Sequence, residues 1–273
     1  MTKDSLRPLS VVIMTYNEES NIEQCITSVQ GLGNEILVLD SNSTDRTVEL
    51  ARNLGARVEQ YPFDTYADQR RRLITFAKND FILTLDADEY LSEALKSSVQ
   101  SALQNNSEDA FTSNRKSKIG NTWMDHGTWY PDRKIRLFDR RKVSVTGMDV
   151  HEALTPSASC KVGHLNGDLM HNADENIEAR YQKVQGYSSR AAATLFRQGK
   201  KTDFLRILCK PFFRFVNGYF FRLGFLDGYY GYIVAMSEAQ YVWLREVKLW
   251  EMWRNQKLTP LNSANSVPPK GGT

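Results

Sequence analysis

Asp86-Ala87-Asp88 is the first place in this sequence where residue type and spacing suggest chemistry. On an extended segment, residues two apart point the same way, so the two carboxylates can face one point. Such oxygens, joined by water and phosphate oxygens, suit an octahedral Mg2+ or Mn2+. A cation held there would neutralise the charge that develops on a departing diphosphate. Alone, an Asp-x-Asp pair is a weak signal. Two further clusters strengthen it: Thr15-Tyr16-Asn17-Glu18 and Asp40-Ser41-Asn42-Ser43-Thr44-Asp45. One such cluster is readily explained as helix capping. Three that converge are not.

They converge only if the intervening elements place them at one sheet edge. Leu9–Met14 is a short β-branched run, as a buried parallel strand should be, and Glu35–Leu39, Arg57–Tyr61 and Phe81–Leu85 read as further strands. Helices fall between them. Ser20-x-x-Glu23 reads as a capping box for one that carries Ile22, Cys25, Ile26 and Val29 and stops at Gly31. A second follows Ser43 with Val48, Ala51 and Leu54, and residues 66–78 form a third. This alternation predicts an α/β fold with a doubly wound, mainly parallel sheet flanked by helices. Ligands of such sheets sit outside the carboxyl ends of the strands, where the three clusters fall.

From about 111 to 170 the texture changes to short strand-like pieces, Ile135–Phe138 and Val143–Val145, among turns. An amphipathic helix spans 176–198, with Ile177, Tyr181, Val184, Ser188, Ala191 and Leu195 along one side. Residues 203–225 are aromatic and basic. Arg206, Lys210, Arg214 and Arg222 form a stripe, the aromatics lie largely away from it, and Pro211 is expected to break or kink the helix. The tail, 258–273, is polar and expected to be disordered.

Composition narrows the classes. Three widely spaced cysteines with no Cys-x-x-Cys pair argue against a disulfide framework or a cysteine zinc site and fit a reducing compartment. Met1 to Pro8 shows no apolar core of a signal peptide, so a cytoplasmic location is expected. Residues 1–195 hold 23 Lys and Arg against 27 Asp and Glu, a net −4, whereas residues 196–273 hold 12 against 5, a net +7. The acidic body speaks against nucleic acid binding. The apolar stretches of the basic third fall short of the ~20 residues needed to span a bilayer, so an in-plane helix on an anionic membrane surface is expected instead.

The ordered motifs Ser10–Glu18, Asp40–Thr47, Gln69-Arg70 and Leu85–Glu89 resemble glycosyltransferase family 2, whose members have the GT-A fold. Trp129–Arg133, Arg136–Phe138, Val150–Glu152, His171 and Gly224–Gly228 are similar to its lipopolysaccharide-core β-glucosyltransferase branch. The resemblance runs from about residue 9 to 250. It implies an inverting transfer of a hexose from a nucleotide-diphosphate sugar, such as UDP-glucose, to a lipid-linked glycan acceptor. It implies Mg2+ or Mn2+ as cofactor and a peripheral position on the inner face of the plasma membrane. Thr15, Asn17, Glu18, Asp40, Ser43 and Asp45 would lie around the nucleotide. Arg70 would contact its phosphate side, within Gln69-Arg70-Arg71 where the family has Ala-Arg-Asn. Asp86 would face ribose or metal, Asp88 would ligate the metal, and His171 would complete its shell. Glu152 is the expected general base, with Asp132 the runner-up.

In domain terms, residues 1–110 form the donor half, 111–175 the acceptor-side half of the same domain, and 176–257 a helical, membrane-surface region. Two other functions compete. A nucleotidyltransferase would need a Gly-rich basic loop after the first strand, and Thr15–Glu18 is neither. A non-catalytic carbohydrate or membrane scaffold predicts damaged acids, yet Asp40, Asp86, Asp88 and Glu152 are all present.

Overall fold

A computed structural model describes residues 6–105, 107–147 and 153–258. Four parallel strands open the chain: β1 (Leu9–Thr15), β2 (Glu35–Asp40), β3 (Arg57–Gln60) and β4 (Phe81–Asp86). Between them run α1 (Ile22–Val29), α2 (Thr47–Asn53) and α3 (Tyr66–Phe76). β1 and β4 are buried almost throughout, because each face of the sheet is covered. Val11 and Ile13 meet Ile22, Cys25 and Ile26 of α1 on one side. Val12, Leu37 and Ile82 meet Leu73 of α3 on the other.

The middle of the chain is more regular than its texture suggested. After β5 (Glu89–Leu91) and α4 (Glu93–Gln104) come β6 (Ala110–Ile119), the short β7 (Thr122–Trp123), β8 (Asp132–Asp139) and β11 (Val162–Asp174), with the separate hairpin β9 (Val143–Thr146) and β10 (Ala153–Pro156). They extend the same sheet in the order β3-β2-β1-β4-β8-β6-β11-β5. β8 is antiparallel to both neighbours, and β5 is antiparallel to β11. The seven consecutive polar residues Thr112–Lys118 hid β6, part of which lines a cavity, whereas Ile135–Phe138 and Val143–Val145 fall on β8 and β9 as expected. Gly167 (φ +93°) lets β11 pass α4, since a Cβ there would lie 2.4 Å from the backbone nitrogen of Leu95.

Two local expectations fail. The capping box does not form, because the α1 N-cap is Asn21, whose amide donates to the Glu18 carboxylate instead. Pro211 does not break its helix. α6 runs unbroken over Phe204–Val216, held to the long α7 (Gly228–Leu258) on either side of the proline by Lys210 and Arg214. A π-helical turn (Asn217–Phe221) and a 3-10 turn (Gly224–Asp227) join the two helices. Backbones touch there: a Cβ on Gly231 would lie 1.8 Å from the Gly224 carbonyl oxygen. Asp227 accepts from the backbone N–H groups of Asp125 and His126, so the Gly224–Gly228 motif is a packing device.

Two members of the basic stripe, Lys210 and Arg214, reach across to α7, while Arg206 and Arg222 stay exposed at the surface. Lys210 pairs with Glu246 at 2.9 Å and Arg214 with Glu238 at 2.6 Å. Both carboxylates are sequestered on α7 and require counter-charge. α6 buries none of its own residues, and Phe204, Leu205, Leu208, Phe212 and Phe213 lie in the open. No helix among the described residues is long and apolar enough to cross a membrane.

Candidate active site

The carboxyl ends of β1, β2 and β4 open on one cavity of about 1010 Å³. Thr15, Glu18, Arg70, Asp86, Asp88, Asp132 and His171 all line it. The Thr15 hydroxyl is buried without a hydrogen-bond partner among the described residues, and Thr15 lines this cavity.

Asn17, Asp40, Ser43 and Asp45, expected around the nucleotide, are used to lock two loops together. Asp40 is 0% exposed and accepts from the backbone N–H of Ser43 (2.9 Å), the Ser43 hydroxyl and the Gln60 amide (3.1 Å). The Ser43 hydroxyl oxygen accepts from the Asn17 backbone N–H (2.8 Å), while the Asn17 side chain accepts from that of Thr44. Burial pushes the Asp45 carboxyl up, but hydrogen bonds from Thr47 and Glu19 hold it below its ordinary value. These acceptors satisfy backbone donors in tight loops, and the exposed wall is left to neighbours such as Tyr16, Leu39 and Ser41.

Asp86 and Asp88 do different things. Asp86 Oδ1 accepts from Arg70 at 3.0 Å and Oδ2 from Arg136 at 3.2 Å. Burial would raise its carboxyl, but Arg70, Arg136 and Arg115 hold it well below the usual carboxylate range. Arg70 also donates to Thr84, so it braces this carboxylate from below. Asp88 Oδ2 stands 3.3 Å from His171 Nε2, and the other ring nitrogen of His171 is 2.9 Å from the Ser117 hydroxyl. That placement follows from sheet register: β11 pairs His171 with Ser117 of β6 on one side and with Glu89 of β5 on the other.

No group of three or more His, Cys, Asp or Glu among the described residues forms a ready metal cage. The available donor set is therefore one carboxylate and one imidazole, with the ring oriented by a hydroxyl. This suits a divalent cation whose other ligands come from a diphosphate and water, and imidazole favours Mn2+ over Mg2+. Both oxygens of Asp86 are engaged by arginines, whereas Asp88 is met by the His171 ring.

Glu89 carried no role in the sequence, yet it is the hub of the site. It is 0% exposed; Oε1 accepts from Arg136 at 2.5 Å and from Arg115 at 3.4 Å, and Oε2 accepts from the Asp86 backbone N–H. Arg115 in turn donates twice to Asp132. Asp132, Lys134 and Arg136 alternate along β8, a two-residue period that marks one face of a strand and could have revealed this wall. Burial raises the Asp132 carboxyl, but Arg115 and Lys134 outweigh it and lower the net value. Glu18, by contrast, is raised, chiefly by burial and also by Asp88.

α5 (Ile177–Arg197) closes the far side with Arg180, Lys183 and Tyr187, a stripe distinct from the one its apolar pattern displayed. Arg180 lies over the Trp129 ring and donates to Glu238 at 2.6 Å. Glu238 also accepts from Trp129 Nε1 and from Arg214 of α6. His126 pairs with Asp227 and stands apart from this chemistry. Glu152, the expected base, lies outside the described residues, while the runner-up Asp132 lines the cavity.

Residues 10–161 match the family model for glycosyl transferase family 2. The chain is 30% identical over 259 residues to an uncharacterized glycosyltransferase of Rickettsia bellii, across 90% of this chain and 87% of that one. It is 28% identical over 253 residues to the lipopolysaccharide core biosynthesis glycosyltransferase LpsC of Rhizobium meliloti, across 89% and 92%. Among solved structures, glucosyl-3-phosphoglycerate synthase from Mycobacterium tuberculosis matches with a TM-score of 0.46 and 19% identity, covering 72% of this chain and 82% of that one. With its mixed, helix-flanked sheet of GT-A type and one family model spanning more than half its length, the chain belongs to glycosyltransferase family 2.

Proposed function

We propose that this protein is an inverting, metal-dependent hexosyltransferase. It moves a hexose from a nucleoside-diphosphate sugar such as UDP-glucose to a lipid-linked glycan during synthesis of lipopolysaccharide core or a related envelope polysaccharide. One observation carries this: a single cavity runs from Thr15 and Ser41 past Asp86 and Asp88 to Asp132, Trp129 and Arg214. It has room for both donor and acceptor. Similarity to LpsC along nearly all of both chains supports the envelope assignment.

In this reading residues 1–110 bind the donor, 111–175 supply the acceptor side, and 176–257 meet the membrane surface. Asp88 and His171 would hold Mg2+ or Mn2+, which supplies charge neutralisation to the diphosphate. The acceptor hydroxyl attacks the anomeric carbon opposite the leaving group. A carbon–oxygen bond forms, the bond to the diphosphate breaks, and a carboxylate takes the hydroxyl proton. Glu152 is the proposed base. Asp132 is the weaker candidate, because a carboxylate held ionised by Arg115 and Lys134 accepts a proton poorly. It suits orientation of an acceptor hydroxyl in the cavity it lines together with Trp129.

The membrane contact would be made chiefly by the apolar side of α6, since Lys210 and Arg214 on its other side are paired with α7. Phe204 and Phe221, each 78% exposed, mark the two ends of that surface.

A panel of nucleotide sugars, each with and without Mn2+, tests the central assignment by thermal shift and by hydrolysis. Metal-dependent stabilisation by a UDP-sugar is expected. Its absence with every UDP- and GDP-sugar overturns the reading.

A further inference from the structure

A second cavity, of about 380 Å³, lies away from the active site where the end of α5, the start of α6 and α7 meet. Lys200, Lys201, Arg206 and Lys210 line it, and the acid among its lining residues is Glu246. Glu246 is already engaged by Lys210, Arg245 and Thr202. Lys200 and Lys201 have no carboxylate partner among the described residues, and both are exposed.

The backbone beneath these two lysines is pinned. Gly199 (φ +70°) ends α5 in the left-handed conformation, which brings the Lys200 N–H onto the Leu195 carbonyl. The Lys200 carbonyl accepts from Trp253 Nε1 at 2.8 Å, and the Lys201 carbonyl accepts from Arg206 at 3.1 Å. Thr202 is tied to Glu246 at 2.6 Å. Four consecutive residues are thus fixed from four directions. Lys201 Nζ lies 5.5 Å from the centre of the Trp253 ring, and four bases around one committed acid give the cavity a positive field that favours an anion.

We propose that this cavity binds the phosphate headgroup of an anionic membrane lipid. The proposal rests on the membrane reading given above and deepens it. A lipid is the source because the cavity borders the exposed apolar end of α6: Phe204 and Leu205 immediately precede the lining residue Arg206. Trp250 and Trp253 stand at the adjoining end of α7, and indole rings favour the boundary between acyl chains and water. α6 would enter the acyl region through its aromatics while Lys200 and Lys201 hold a phosphate at its rim.

The test is flotation of the full chain on vesicles of neutral phosphatidylcholine and on vesicles enriched in phosphatidylglycerol. Wild type should prefer phosphatidylglycerol. A Lys200→Gln/Lys201→Gln double variant should lose about fivefold of that preference per lysine, roughly 25-fold in all, while binding neutral vesicles as before. Lys142→Gln/Lys161→Gln makes the same change in net charge at a half-buried and an exposed position of the catalytic body and should keep the preference. An equal loss in both double variants would reduce the effect to overall charge and overturn the proposal, as would a wild type with no preference. Displacement from phosphatidylglycerol by inorganic phosphate alone, at unchanged ionic strength, would assign the cavity to a free anion and overturn the lipid. Wild type that floats on neither vesicle fails the membrane reading itself, a result distinct from binding without preference.

Discussion

Glu89→Gln removes one negative charge from the centre of the site without changing its shape. Around it, Asp86, Glu89 and Asp132 stand against Arg70, Arg115 and Arg136, three carboxylates against three guanidiniums. The substitution leaves the nearly buried Arg136 with Asp86 as its remaining anion and a surplus positive charge in the network. Breaking one partner of a buried ion pair costs about 3–5 kcal/mol. A glutamine oxygen can still accept from Arg136, which places the expected cost near about 3 kcal/mol. For a chain of this size that is a fall in Tm of roughly 6–12 °C. Against a total stability of about 5–15 kcal/mol the protein stays folded. The backbone of Asp86 also loses its best acceptor, so the loop carrying Asp88 relaxes. Turnover should fall about 10- to 100-fold with little change in donor KM, because misplacement of reacting groups acts on the chemical step. Differential scanning calorimetry and steady-state kinetics measure both. Arg136→Met should cost less in the Glu89→Gln background than in wild type, by about 1 kcal/mol or more. A Tm within about 2 °C of wild type with normal turnover, or strict additivity of the two changes, would refute the hub assigned to Glu89.

Asp88→Asn and His171→Gln should each abolish the extra thermal stabilisation that Mn2+ gives a UDP-sugar complex, whereas Asp86→Asn should lower stability more than it lowers metal response; equal metal response in all three variants would remove Asp88 and His171 from the ion. Glu152→Gln should eliminate transfer and leave donor binding nearly intact, and Asp132→Asn should chiefly raise acceptor KM. The pH profile separates these bases: the folded Asp132 carboxyl lies below its ordinary value, so with Asp132 as base kcat/KM would hold its plateau until pH falls below about 4. An acid limb at higher pH excludes it. On neutral vesicles, Phe212→Ser and Phe213→Ser should each weaken binding about tenfold or more with little sensitivity to salt, as expected for lost apolar burial. Lys210→Gln and Arg214→Gln should instead lower Tm and leave that binding in place, and the reverse pattern would restore the basic stripe as the docking surface.

The donor edge of the fold was legible because its strands are buried on both faces and read as continuous apolar runs. β1 and β4 differ in this from β6 and β8. Ala110–Ile119 instead carries seven consecutive polar residues, Thr112 to Lys118, and Asp132–Asp139 opens with three, so within these two strands only the Ile135–Phe138 piece read as strand. Asp86, Asp88 and His171 could be named from type and position. Their division of labour could not, because it depends on which side chains the neighbouring strands bring alongside. Arg70 and Arg136 bracket Asp86 across 16 and 50 residues, and the row Glu89–His171–Ser117 exists only through the register of three strands. Asn17, Asp40 and Ser43 have a loop-locking use that their types alone did not display, because residues suited to a nucleotide are also those that satisfy backbone donors in a tight loop.

α6 shows the limit of amphipathic reasoning most directly. Its pattern separates a basic stripe from an aromatic face, and the usual inference turns the apolar side inward. Here the partner helix decides otherwise. α7 presents Glu238 and Glu246 toward α6, and leaving either without counter-charge would cost more than exposing several aromatic rings. Lys210 and Arg214 therefore point in, and Phe204, Leu208, Phe212 and Phe213 point out. Glu238 also holds Arg180 and Trp129 in the wall of the main cavity. One carboxylate thus joins the surface proposed to enter the lipid to the wall proposed to receive the lipid-linked sugar. Anchoring α6 would then fix that wall at a set height above the bilayer, which is what an enzyme needs when its acceptor cannot leave the membrane.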